Sequence, residues 1–155
     1  MMMLANLKGN HATINVPYTF TGNVIYMSTS LSTSVTNIPP FIHWTPTWKP
    51  GRYITDINIC KPDTRGFHYS MDGTCNGTGI YIHVNGNDVS TFMWGINISG
   101  LRMAGAFSYG FRALTENHNS DNGWNHEMRV EGIIDGSEVG VSIENTNNAY
   151  LSIIV

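Results

Sequence analysis

Charge is what this chain has least of. Asp, Glu, Lys and Arg together make up 12% of its 155 residues, about half the usual share. The formal net charge is −3, and no two of the eight Lys and Arg residues are adjacent. A chain without a basic arm or patch cannot neutralise a phosphate backbone, which sets nucleic-acid partners aside. Cysteine is scarce as well. Cys60 and Cys75 are far from a Cys-x-x-Cys pair; two free thiols in a reducing compartment is the default reading, and the sequence leaves a bridge between them open. No apolar run approaches the roughly 20 residues that cross a bilayer, so no membrane partner is expected. The opening MMMLANLKGNHATINVP lacks a basic region followed by a hydrophobic core, so it does not read as a signal peptide.

Chemical motifs are missing too. Six histidines (His11, His43, His68, His83, His118 and His126) show no zinc-type spacing with Cys or with one another, so no metal site is expected. There is no Gly-x-Ser-x-Gly elbow for a nucleophilic serine. Gly77-x-Gly79 lacks the third glycine and the following helix of a phosphate loop. Neither a catalytic residue nor a cofactor is predicted, and the chain reads as a protein that is not an enzyme. No repeat of fixed period is evident, which argues against a solenoid or propeller.

What the chain does have is alternation. Val139, Val141 and Ile143 alternate with Gly140, Ser142 and Glu144, and Leu151, Ile153 and Val155 alternate with Ser152 and Ile154. Period two means strands with one buried face. Ile80, Ile82 and Val84 form another such set, as do Phe92, Trp94, Ile96 and Ile98. Asn85-Gly86-Asn87-Asp88 is the strongest hairpin signal. Asp135-Gly136 and Asn145 to Asn148 read as further turns. Eight to ten short strands at this spacing, with no strong helix, predict an all-β fold: a jelly-roll-like antiparallel β-sandwich. A hydrophobic final strand is expected to lie paired within a sheet.

Residues 1–17 show no sustained period and end at Pro17. They read as an extended N-terminal arm, with the β domain spanning 18–155. Met1, Met2, Met3, Leu4, Leu7, Ile14 and Val16 give the arm an apolar character suited to docking on a partner, since Met adapts to irregular surfaces. Phe107, Tyr109 and Phe111 share one face of a predicted strand, opposite the small residues Ala106, Ser108 and Gly110. Small residues let another backbone come close. One small barrel does not easily bury every aromatic here, so Phe107, Tyr109 and Phe111 are expected at the axis of a homotrimer. Trp124, with Asn122, Asn125 and His126, makes an aromatic and polar loop of a kind that contacts sugar.

The ending, an Asp-Gly turn, Val-x-Val-x-Ile, an Asn-rich turn and Tyr-Leu-Ser-Ile-Ile-Val, resembles the last strands of tumour-necrosis-factor/C1q-like jelly rolls. The resemblance covers the last third of the chain. Such folds recur in phage head fibres, capsid decoration (cement) proteins and tail-fibre tips. It implies a trimeric virion protein, made in the host cytoplasm and placed on the capsid surface, with the major capsid protein as its partner. The expectation is a decoration protein that stabilises the shell. The alternative is the receptor-binding tip of a tail or head fibre, recognising a host-surface glycan.

Overall fold

The computed structural model describes residues 6–28, 42–44, 52–62, 75–86, 92–117 and 124–155. Among these residues the chain forms thirteen strands. They are β1 (Leu7–Lys8), β2 (Thr13–Asn15), β3 (Asn23–Ser28), β4 (Ile42–Trp44), β5 (Arg52–Thr55), β6 (Asn58–Lys61), β7 (Thr78–Asn85), β8 (Phe92–Trp94), β9 (Ile96–Gly105), β10 (Tyr109–Glu116), β11 (Trp124–Asp135), β12 (Val139–Glu144) and β13 (Asn147–Ile154).

Every ladder between them is parallel. One sheet runs in the order β12, β10, β7, β3, β4. The other stacks β13 on β11, β11 on β9, β9 on β5 and β6, and those two on β1 and β2. The chain passes through one sheet, turns a corner into the other, and returns to lie on the strand it laid down one coil earlier. This is a two-sheeted parallel β-solenoid. It overturns the antiparallel jelly-roll sandwich, while the all-β content stands.

β7, β9, β10, β12 and β13 lie where alternation puts them, whereas β1, β2 and β4 have no such signal and make the total thirteen rather than eight to ten; the partners differ from those expected. β7 ends at Asn85 and β8 pairs with β11 in the other sheet, so Asn85-Gly86 is a corner and not a hairpin. Gly136, at φ 77°, turns the chain from β11 to β12, which then pairs with β10. Asn145, at φ 53°, leads into β13, which pairs with β11. A corner and a hairpin want the same left-handed residues, so turn chemistry alone does not choose between them.

The solenoid also carries a period that the alternation hid. Thr78, Tyr109 and Val139 are stacked in register, 31 and then 30 residues apart. Gly79, Gly110 and Gly140 fall one residue after each. A Cβ on Gly79 would meet the Met103 side chain and come within 2.6 Å of the Gly110 carbonyl oxygen. One on Gly110 would meet Ile134 and come within 2.9 Å of the Gly140 oxygen. The glycine column therefore lets the coils close on side chains from the opposite sheet. The close backbone approach expected at Gly110 is present, and it comes from the next coil of the same chain.

The interior is one apolar stack running through Ile25, Ile80 and Phe111 on one side and Ile98, Val130 and Met128 on the other. The expected arm is part of it. β1 pairs with β5 and β2 with β6; Val16 is buried, and Leu7 and Ile14 pack against the core. A boundary at Pro17 is therefore wrong for residues 6–16. Those residues lack a sustained period because β1 and β2 are only two and three residues long.

Candidate functional site: the ladder on the β3/β7/β10/β12 face

Register stacking brings residues far apart in sequence into columns. On the outer side of the β3, β7, β10 and β12 strands, Tyr26, Tyr81, Arg112 and Ser142 form one column. Ser28, His83, Leu114 and Glu144 form the next. The rings of Tyr81 and His83 stack with centroids 5.4 Å apart and planes 15° apart, and Tyr26 lies 5.5 Å from Tyr81. The Arg112 guanidinium sits 5.4 Å from the Tyr81 ring centre and 4.9 Å from that of Tyr109, within the range of cation–π attraction.

Polar contacts hold these groups in place. The Tyr26 hydroxyl lies 3.0 Å from His83 Nδ1, and His83 Nε2 lies 3.2 Å from Glu116 Oε2. A neutral imidazole protonated on Nε2 satisfies both, accepting from the phenol and donating to the carboxylate. Arg112 Nη2 reaches Glu144 Oε1 at 3.3 Å, and Ser142 Oγ donates to the same oxygen at 3.2 Å. Arg112 Nε is buried without a hydrogen-bond partner among the described residues. Burial pushes the Tyr81 phenol up to about 12, against the opposing effect of Arg112 and with help from Glu116 and Glu144. That phenol therefore stays a neutral donor across the ordinary pH range.

The site has a floor and a rim. Tyr26, Tyr81 and His83 are buried, while Tyr109, Arg112 and Ser142 are half-buried and Glu116 and Glu144 exposed. A ligand would meet the rim, held from beneath by the floor. The arrangement offers ring faces, a fixed guanidinium, a serine hydroxyl and two carboxylates, which is equipment for binding a neutral molecule rich in hydroxyls.

A second polar group lies inside the corner between β6 and β7. Lys61 is 1% exposed. Its Nζ donates to the Asn76 backbone oxygen at 2.5 Å and to the Asn76 side-chain oxygen, and it lies 5.1 Å from the Phe107 ring centre. Burial lowers its pKa to about 8, partly opposed by Cys75. Burial likewise pushes the Cys60 thiol up. Lys61 ties the start of the next coil, at Asn76, to the end of the previous one.

The sites expected from sequence fall elsewhere. Phe107 and Phe111 are fully buried in the chain's own core, so they are not at a trimer axis; Tyr109 is half-buried beneath Arg112. Val16 is buried in the same core, and Leu7 and Ile14, half-buried, pack against it; Met1, Met2, Met3 and Leu4 lie outside the described residues. Trp124, Asn125 and His126 belong to β11, in register with Phe92, Met93 and Trp94, rather than to a loop; Asn122 lies outside the described residues. Among the described residues no three of His, Cys, Asp and Glu come together as a metal site. Sequence reasoning missed Tyr26, Tyr81, His83, Arg112, Glu116 and Glu144. Only the coil period, which places 81 and 112 on one column, could have joined them. No known family, curated protein or solved structure matches the chain.

Proposed function

We propose that this chain is a glycan-recognising module of a virion fibre, the receptor-binding reading of the sequence. The observation that carries it is the Tyr109–Arg112–Glu144 rim, seated on the stacked Tyr26, Tyr81 and His83. A solenoid presents its columns along its axis and so offers an extended surface. An extended polymer such as a cell-surface polysaccharide suits that shape. Tyrosine supplies an apolar face with a polar edge, and a rim already held by Glu144 and Ser142 loses little freedom on binding. Two carboxylates beside one guanidinium, on a chain of net charge −3, disfavour a phosphate polymer. The virion setting rests on the composition, with sparse charge and abundant Gly, Asn, Ser and Thr. Of the residues offered for the decoration-protein reading, Val16, Phe107 and Phe111 are committed to the core, and Met1, Met2, Met3 and Leu4 lie outside the described residues.

The test is binding of the purified chain to a panel of bacterial surface polysaccharides, beside binding to purified capsids. One polysaccharide should bind, and Arg112→Ala should weaken that binding by about tenfold or more, the effect of losing one charged contact. Capsid binding without polysaccharide binding, or an Arg112→Ala variant that binds polysaccharide as well as the parent, would reject the reading.

A further inference from the structure

A lysine as deeply buried as Lys61 is ordinarily paired with a carboxylate. Among the described residues its contacts are different. Nζ donates to the Asn76 backbone oxygen and to Asn76 Oδ1, and it lies near the Phe107 ring. Amide oxygens satisfy the donors but do not cancel the charge. Burial therefore lowers the lysine's pKa to about 8, and near neutral pH part of the population carries an uncharged amine. An uncharged amine is a nucleophile, and this one rests on a side-chain amide.

Both partners are fixed by the next coil. Ala106 N–H donates to the Lys61 oxygen at 3.1 Å, and Asn76 N–H donates to the Ala106 oxygen at 3.2 Å. On either side of Asn76, Ser108 Oγ donates to the Cys75 oxygen at 3.2 Å and Ser108 N–H to the Gly77 oxygen at 3.0 Å. A Cβ on Gly105 would come within 2.9 Å of Lys61 Cβ, so glycine there opens the space that Lys61 fills. The fold thus holds amine and amide together, and a reaction that is slow by chance encounter gains from fixed proximity.

We infer that Lys61 and Asn76 join covalently, through an isopeptide bond that clamps the two ends of the corner between β6 and β7. Lys61 Nζ attacks Asn76 Cγ, whose oxygen it already touches. The new C–N bond forms, the Cγ–Nδ2 bond breaks, and the proton that Nζ loses leaves on Nδ2 as ammonia. Nothing is oxidised or reduced. The product amide is uncharged, so the cost of a buried charge disappears. Only the uncharged amine reacts, so a freshly made chain carries the free lysine, and its titration fades as the bond forms. The clamp falls where it is needed. The equivalent corners 106–108 and 136–138 have three residues each, against sixteen in 62–77. The inference is independent of the glycan reading.

The test is mass spectrometry of the intact, folded chain after several days at a pH below and a pH above the lysine's value of about 8. The mass should fall by one ammonia, and faster at the higher pH. Trypsin should then release peptides 53–65 and 66–102 as one branched species joined at Lys61 and Asn76. Prior reduction ensures that no disulfide between Cys60 and Cys75 makes the join. Asn76-Gly77 can also lose ammonia by closing a succinimide on its own backbone, a route that needs neither Lys61 nor the fold. Lys61→Met, and the parent kept in denaturant, should therefore give no branched peptide. The branched peptide of the parent decides the matter even if the variant unfolds. An unchanged mass, ammonia lost without branching, or a branch that forms equally well in denaturant would each overturn the inference.

Discussion

The Tyr26 hydroxyl and His83 Nδ1 lie 3.0 Å apart, from residues separated by 57 positions in the chain. Both side chains are buried on the outer side of a sheet, where an ordinary half-solvated strand would leave them wet. The pair fastens β3 to β7, and through Glu116 the bond continues to β10.

Tyr26→Phe removes the hydroxyl and leaves the imidazole nitrogen buried and unpaired. The expected cost is about 1–3 kcal/mol, read from the urea midpoint at constant slope. A variant as stable as the parent would show that His83 finds another partner without cost.

Gly110→Ala places a methyl group against Ile134 and the Gly140 oxygen. Because one of these neighbours is backbone, the coil cannot yield by a rotamer change alone. A loss of about 1–3 kcal/mol is expected, again from denaturant unfolding. Ser142→Ala, on the outer face, is the control, and it should move stability far less.

Lys61 makes stability depend on pH with a definite sign. Its pKa falls from the ordinary 10.5 in the unfolded chain to about 8 in the fold. Between those values the unfolded state binds the extra proton, so the contribution of this group rises as pH rises from about 8 to 10.5 and is flat below that window. Unfolding measured across the window should show the rise, and Lys61→Met should remove it. An identical profile in the variant would place the titration elsewhere.

Burial should hold the Tyr81 phenol neutral until about pH 12. Ultraviolet difference titration of the parent against Tyr81→Phe should place the missing absorbance at the alkaline end. A difference centred near 10, the value of a solvated phenol, would mean that the ladder is open to water.

Much of this architecture was legible as strands and little of it as partners. The alternations Ile80–Val84 and Val139–Ile143 mark β7 and β12 because a strand buries alternate side chains whatever lies beside it. They say nothing about direction, and Asn85-Gly86 and Asp135-Gly136 serve corners as well as hairpins. Parallel stacking leaves its trace in the recurrence of glycine at 79, 110 and 140. It was masked by unequal spacing: β3 and β7 are 55 residues apart in register, and β11 and β13 only 21. The same masking hid the candidate site, since Tyr26, Tyr81 and Arg112 become neighbours only once the coils are counted. Phe107 and Phe111 were read as too many aromatics for one barrel, but the stacked interior of a solenoid absorbs both.

The corners of this solenoid differ widely in length. Sixteen residues, 62–77, join β6 to β7, while three, 106–108 and 136–138, make the equivalent turns in the next two coils. The strands they join remain in register. A corner thus behaves as a socket: segments of very different size plug in without disturbing the stack, because loop closure costs grow only slowly with length. Selection can therefore change the length of a corner while the glycine column stays fixed, and an engineer could graft a foreign peptide between Pro62 and Cys75, leaving Asn76 in place for Lys61.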